Sequence, residues 1–157
     1  MDPYKTPDAA LETDSDNPHQ PVRAVIYGLC ISIILVTLAS IVEGIGFGIA
    51  LGVDLSDQAG FKAMLATSTA FMVTDILVSS VLFYWAGRVV GKRVPGKELK
   101  YGIIVTLLTL AIFLPLIIDS DTFDHYPLWY NLVSIIVFLV VIPLGAISTV
   151  KSKKHGH

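Results

Sequence analysis

The sequence predicts an all-α membrane protein built as a bundle of four transmembrane helices, and three observations carry that expectation. Of the 157 residues, 54% are hydrophobic and only 15% are charged, and the mean hydropathy is +0.70, outside the range of soluble domains. The apolar residues gather into four runs, each long enough to cross about 30 Å of hydrocarbon at 1.5 Å per residue. The charges sit between the runs rather than striping them, whereas a soluble bundle needs a polar stripe on every surface helix. A formal net charge of −2 hides this sorting.

Residues 1–21, "MDPYKTPDAALETDSDNPHQP", combine prolines and acids with few apolar side chains, a composition that predicts a disordered tail. The stretch is acidic and the apolar run after it is too long for an h-region, so it does not read as a signal peptide. Residues 22–150 form the transmembrane domain, with spans at about 24–52, 63–87, 101–118 and 128–150, and residues 151–157 form a basic tail.

The first run ends in "IVEGIGFGIALG", which places Glu43 among isoleucines and glycines. At 100° per residue, Ser32, Ala39, Glu43, Gly46 and Ala50 share one helix face. Gly44, Gly48 and Gly52 make two overlapping Gly-x-x-x-Gly steps on another, a groove for a neighbouring helix or a second copy of the chain.

In the second run Asp75 falls at the midpoint, where an aspartate costs on the order of 2.5–3.5 kcal/mol on insertion scales. Ser68, Asp75, Ser79 and Ala86 share its face, so the polar faces of the first two helices are expected to turn toward each other. Counted from the ends of their runs, Glu43 and Asp75 differ in depth by roughly 6 Å. No Lys, Arg or His lies in mid-span beside them, the histidines being at 19, 125, 155 and 157. Two readings follow. The acids hydrogen-bond across helices and hold the register, or they form a proton- or cation-binding site. Pro115 and Pro143 in the third and fourth runs predict kinks.

Arg88, Lys92, Arg93, Lys97 and Lys100 crowd the connection between the second and third runs, and Lys151, Lys153 and Lys154 follow the fourth. The other two connections carry Asp54, Asp57, Asp119, Asp121 and Asp124, with Lys62 their one Lys or Arg. Positive charge stays in the cytoplasm, so both termini are expected there and the acidic loops outside.

Several classes are excluded. The single cysteine, Cys30, permits no internal disulfide or redox pair. No basic face suits nucleic acid. Asp119, Asp121, Asp124 and His125 lack the glycine and terminal glutamate of a calcium loop, so no metal and no cofactor is expected. Neither a hydrolase nor a phosphate-binding motif occurs, so the chain is not expected to be an enzyme. The bilayer is the partner the composition requires; a homo-oligomer or another membrane protein stays open.

The opening "MDPYKTP" resembles the Asn-Pro-Tyr-x-x-Pro start of many small inner-membrane proteins of Gram-negative bacteria, with Asp2 in place of the asparagine. The resemblance implies a bacterial inner (plasma) membrane address. Four helices with an acid in the first are similar, in topology alone, to the small multidrug resistance transporters, which would assign proton and cation binding to Glu43. The expected function is an interaction, assembly or accessory subunit of the membrane. The alternative is a small proton-coupled transporter or channel component using Asp75 and Glu43.

Overall fold

The computed structural model describes residues 20–54, 56–119 and 126–153. The expected N-terminal tail, the stretch 120–125 with Asp121, Asp124 and His125, and the end of the basic tail lie outside the described residues. All regular structure among the described residues is helical: α1 (Gln20–Ala50), α2 (Gln58–Thr67), α3 (Thr69–Arg93), α4 (Glu98–Asp119) and α5 (Leu128–Lys153). Four of these are long and apolar enough to cross a membrane, over Gln20–Ala50, Thr69–Arg93, Glu98–Pro115 and Leu128–Val150. At most 28% of any of their apolar windows is buried inside the protein. Side chains such as Val42, Ile49, Val81 and Leu128 are more than 60% exposed, so hydrocarbon must cover what the protein does not. The chain is a multi-pass membrane protein.

The second span differs from its expected position. The apolar run from Ala63 to Gly87 does not form one helix, because Ser68 leaves the helical region at φ −79°, ψ 98° and its hydroxyl accepts from the Phe71 amide at 3.2 Å. Ser68 is therefore the N-cap of α3 rather than part of the helix face that carries Asp75 and Ser79. The residues before it form α2, capped by Asp57, whose carboxylate accepts from Gly60 N at 3.1 Å. At the other end, α3 runs on to Arg93 and α4 starts at Glu98, leaving a tight connection in which Gly96 takes φ 82°.

Gly44 and Gly48 are buried, but the groove at Gly44 is filled from within the chain: Phe61 and Leu65 of α2 lie where a Gly44 Cβ would touch them, at 3.6 and 3.8 Å. Gly52 plays another part. At φ 67° it ends α1, with its amide bonded to Ile49 O at 3.1 Å and the Val53 amide to Gly48 O at 3.0 Å. That is a Schellman stop, which needs a left-handed residue.

In α1 the buried residues are Ala24, Gly28, Ser32, Val36, Gly44 and Gly48, with Ser40 half-buried between them. The step is four residues throughout, where a regular α-helix would let such a stripe drift about 40° per step. A π-helical turn over Ile31–Leu35 winds more slowly and draws the stripe back toward its neighbours. It also rotates the remainder of the helix, so Ser32 does not share a face with Glu43, and Gly46 and Ala50 are exposed. The Ser32 hydroxyl is spent on Gly28 O at 2.8 Å.

Helix α3 is the centre of the bundle. Antiparallel α1 follows it, with Phe47 edge-to-face on Phe71 at 5.6 Å, Ser40 on Asp75 and Gly28 on Val90. Parallel α5 is its most intimate neighbour. Asp75 meets Tyr130, Phe83 meets Phe138, Gly87 meets Ile142 and Gly91 meets Ala146, all at the same 55-residue offset. The contact is backbone on backbone: a Cβ on Gly87 would collide with Ile142 O, one on Gly91 with Ala146 O, and one on Gly145 with Tyr84 O. Helix α4 packs against α5 with Gly102 on Ala146 and Pro143.

The core of Ala24, Val90, Val94, Val105 and Ile142 lies toward one end of the bundle. That end also gathers Arg23, Arg88, Lys92, Arg93, Lys97 and Lys100, and the Arg93 guanidinium sits 4.5 Å over the Tyr27 ring. The opposite end carries Asp54 and Asp57.

Gly87→Ala is expected to lower stability by about 1–3 kcal/mol, since the new methyl meets a carbonyl that moves only with its helix. Gly46→Ala, with nothing within 4 Å, should leave it unchanged or slightly raised. Thermal melts of both variants in nanodiscs check the pair.

Candidate functional site

Beyond the core, toward the acidic end, residues of α1, α3, α4 and α5 line a half-open cavity of about 290 Å³. Its aromatic and aliphatic wall includes Phe83, Phe113 and Phe138, with Phe83 and Phe138 edge-to-face at 5.0 Å. Its polar groups include Asp75, Ser40, Ser79 and Tyr130. The break at Ser68 decides the depth of the acid. Asp75 is six residues into α3, about 9 Å from its start, in the third of the span nearer the acidic end rather than at its midpoint.

Both oxygens of Asp75 are engaged. Tyr130 donates its phenolic hydrogen to Oδ2 at 2.7 Å, and Ser40 donates to Oδ1 at 3.1 Å. One carboxylate thus ties α1, α3 and α5 together. Two donors leave roughly half of its acceptor capacity unused, and the group lines the cavity.

Glu43 does not meet Asp75 directly. Ser40 is level with Asp75, and Glu43 lies one turn nearer the acidic end, about 4.5 Å along the axis. Both of its carboxylate oxygens are buried without a hydrogen-bond partner among the described residues. Of the residues the sequence singled out, the structure brings Asp75 and Ser79 to the cavity and Glu43 close to it. Ser32, Ser68, Gly44, Gly48 and Gly52 serve packing, capping and turn roles elsewhere.

Ser40 and Tyr130 were not among the sequence candidates. Ser40 belongs to a four-residue repeat of small residues, Ala24, Gly28, Ser32, Ser40, Gly44 and Gly48, broken by Val36, which was legible. Tyr130 stands near the start of the fourth apolar run, and nothing in the sequence ties it to Asp75. Tyr126 stacks on Tyr130 at 5.0 Å, and burial followed by the Asp75 charge pushes its phenol above the ordinary range. No group of His, Cys, Asp or Glu among the described residues is arranged to hold a metal.

No protein-family model, curated protein or solved structure matches the chain. The geometry defines a small multi-pass helical membrane protein with a carboxylate at the wall of an apolar cavity.

Tyr130→Phe and Ser40→Ala should each lower stability by about 0.6–1.7 kcal/mol, the range for hydrogen bonds between membrane helices. In an Asp75→Asn background the loss should shrink, which a double-mutant cycle on thermal melts in nanodiscs would read. Tyr126 gives a pH signature. Below about pH 10 its phenol is neutral in both folded and unfolded chains. As pH rises further the unfolded chain ionises first, so the native state loses stability. Tyr126→Phe should therefore resist alkali better than the parent, as followed by circular dichroism.

Proposed function

We propose that this protein is an accessory or assembly subunit of a bacterial inner membrane, with both termini in the cytoplasm and no catalytic role of its own. The observation that carries the reading is the tie at Asp75. The acid that a carrier would need free is bound by hydroxyls from two other helices, which is how a polar residue holds a bundle together in lipid. Filling of the Gly44 groove by α2 directs a partner or a second copy to other surfaces. The gathering of cations at the end where α1 starts and α5 finishes supports the orientation.

A second reading, a small proton-coupled transporter or channel component using Asp75 and Glu43, draws on one observation: the Glu43 carboxylate is buried one turn from Asp75 and has no hydrogen-bond partner among the described residues. A buried acid without a fixed donor is a natural proton or cation site.

Asp75→Asn and Glu43→Gln separate the two. The accessory reading expects changes in thermal stability or oligomer size with no proton-linked flux in liposomes from any variant. A flux present in the parent and abolished in well-folded variants would establish the carrier. For orientation, green fluorescent protein fused after His157 should fluoresce and alkaline phosphatase at the same site should be silent; the reverse pattern would invert the topology.

A further inference from the structure

Arg88 stands five residues before the end of α3, about 7.5 Å inside the span, and a charge at that depth marks a paired or functional position. Its Nε is buried without a hydrogen-bond partner among the described residues, while the side chain as a whole is half-buried. A long cation near a span's end ordinarily extends to water. Here its neck is held within the protein, and the outer edge of the guanidinium meets the bilayer. Three and four positions away on α3 are Tyr84, Trp85, Gly91 and Lys92, none of them an acid. Arg93 belongs to another side of the helix, where it covers the Tyr27 ring of α1. At 100° per residue, Leu77, Val81, Tyr84 and Arg88 share one side of α3, and the first three are exposed. The contact with α5 borders that side, since a Cβ on Gly145 would collide with Tyr84 O and meet the Arg88 amide nitrogen at 3.2 Å. Arg88 therefore leaves α3 at the edge of the seam between the two helices, at the head of a ridge that lipid must cover.

We infer that the seam of α3 and α5 at Arg88 binds an anionic phospholipid, with its phosphodiester on the Arg88 guanidinium and an acyl chain along Tyr84, Val81 and Leu77. The planar fork of a guanidinium matches two phosphate oxygens. Lys92, exposed one turn nearer the basic end, adds a second cation to the headgroup. The apolar ridge runs from Arg88 into the span as a lipid chain runs from its phosphate. A phosphodiester without choline or amine beside it keeps its negative charge uncompensated, so the two cations select anionic lipid over zwitterionic lipid. The inference goes beyond the accessory reading and depends neither on the tie at Asp75 nor on the orientation of the chain, so its failure would leave both untouched.

Trp85, three residues before Arg88, supplies the readout. The chain has two tryptophans, so a full-length Trp129→Phe protein reports from Trp85 alone. In nanodiscs of phosphatidylcholine, its fluorescence is quenched by adding phosphatidylglycerol or phosphatidylcholine brominated near the top of the acyl chains. Phosphatidylglycerol should be preferred by at least about fivefold. Arg88→Gln should bring the preference close to one. Lys97→Gln removes the same charge from the connection after α3 and should leave the preference in place. In salt of about 1 M, where the screening length is about 3 Å, most of the preference should persist, a readout on the parent that holds even where Arg88→Gln fails to fold. Equal quenching by the two lipids overturns the inference, as does a preference that survives Arg88→Gln. A preference that falls as far with Lys97→Gln, or that vanishes in salt, also overturns it, and would make the basic end a diffuse attractor of anionic lipid with no site at Arg88. Displacement by inorganic phosphate overturns the lipid as occupant.

Discussion

The close approach of α3 and α5 is the constraint on which the other features depend. Within hydrocarbon, burial of apolar surface gives little drive for helices to associate, and van der Waals contact between backbones takes its place. Gly87, Gly91 and Gly145 permit that contact because any side chain there would overlap a neighbouring carbonyl. Once Gly87 is seated on Ile142, the 55-residue offset is set along the whole pair. Two parallel rods in fixed register then carry Tyr130 to Asp75, more than three turns away. The polar contact is thus a consequence of the glycine contact, and it adds specificity by penalising any slip that would leave the carboxylate without donors.

Helix α1 reaches the same carboxylate by another device. Its buried small residues recur every fourth position, a spacing that a regular α-helix cannot keep on one face. The π turn at Ile31–Leu35 absorbs part of the mismatch, so that Gly28 packs against Val90 near one end while Ser40 still meets Asp75 farther along. A straight helix seated on Gly28 would present a different residue to Asp75. The irregularity is therefore what completes the three-helix tie.

The packed core and the cavity share a boundary at Val36 and Phe83, which belong to both. On the basic side glycines and valines close the space between helices. On the acidic side phenylalanines and a tyrosine replace the small residues, and bulky rings cannot interdigitate where the backbones are held apart. Asp75 stands at that transition, and Glu43 one turn beyond it. A bundle tight at one end and hollow at the other leaves most of its apolar surface to lipid.

Much of this was legible in the chain itself. Four spans, their apolar faces and the sorting of charge follow from composition and order, because a bilayer imposes length and hydropathy on every helix that crosses it. Asp75 and Ser79 were legible as one face because α3 is regular through them. Tertiary structure decided the rest. Periodicity counted at a constant 100° misplaced Ser32 relative to Glu43, since no local rule marks a π turn, and three consecutive hydroxyl residues at Thr67, Ser68 and Thr69 concealed a cap inside an apolar run. The glycine groove at Gly44 and the motif Gly87–Arg88–Val89–Val90–Gly91 have the same spacing, yet the first is covered by a short helix and the second seats α5. Sequence determines which surfaces are small enough for close contact. Which helix arrives there, and which hydroxyl then reaches the buried carboxylate, is set by packing between segments far apart in the chain.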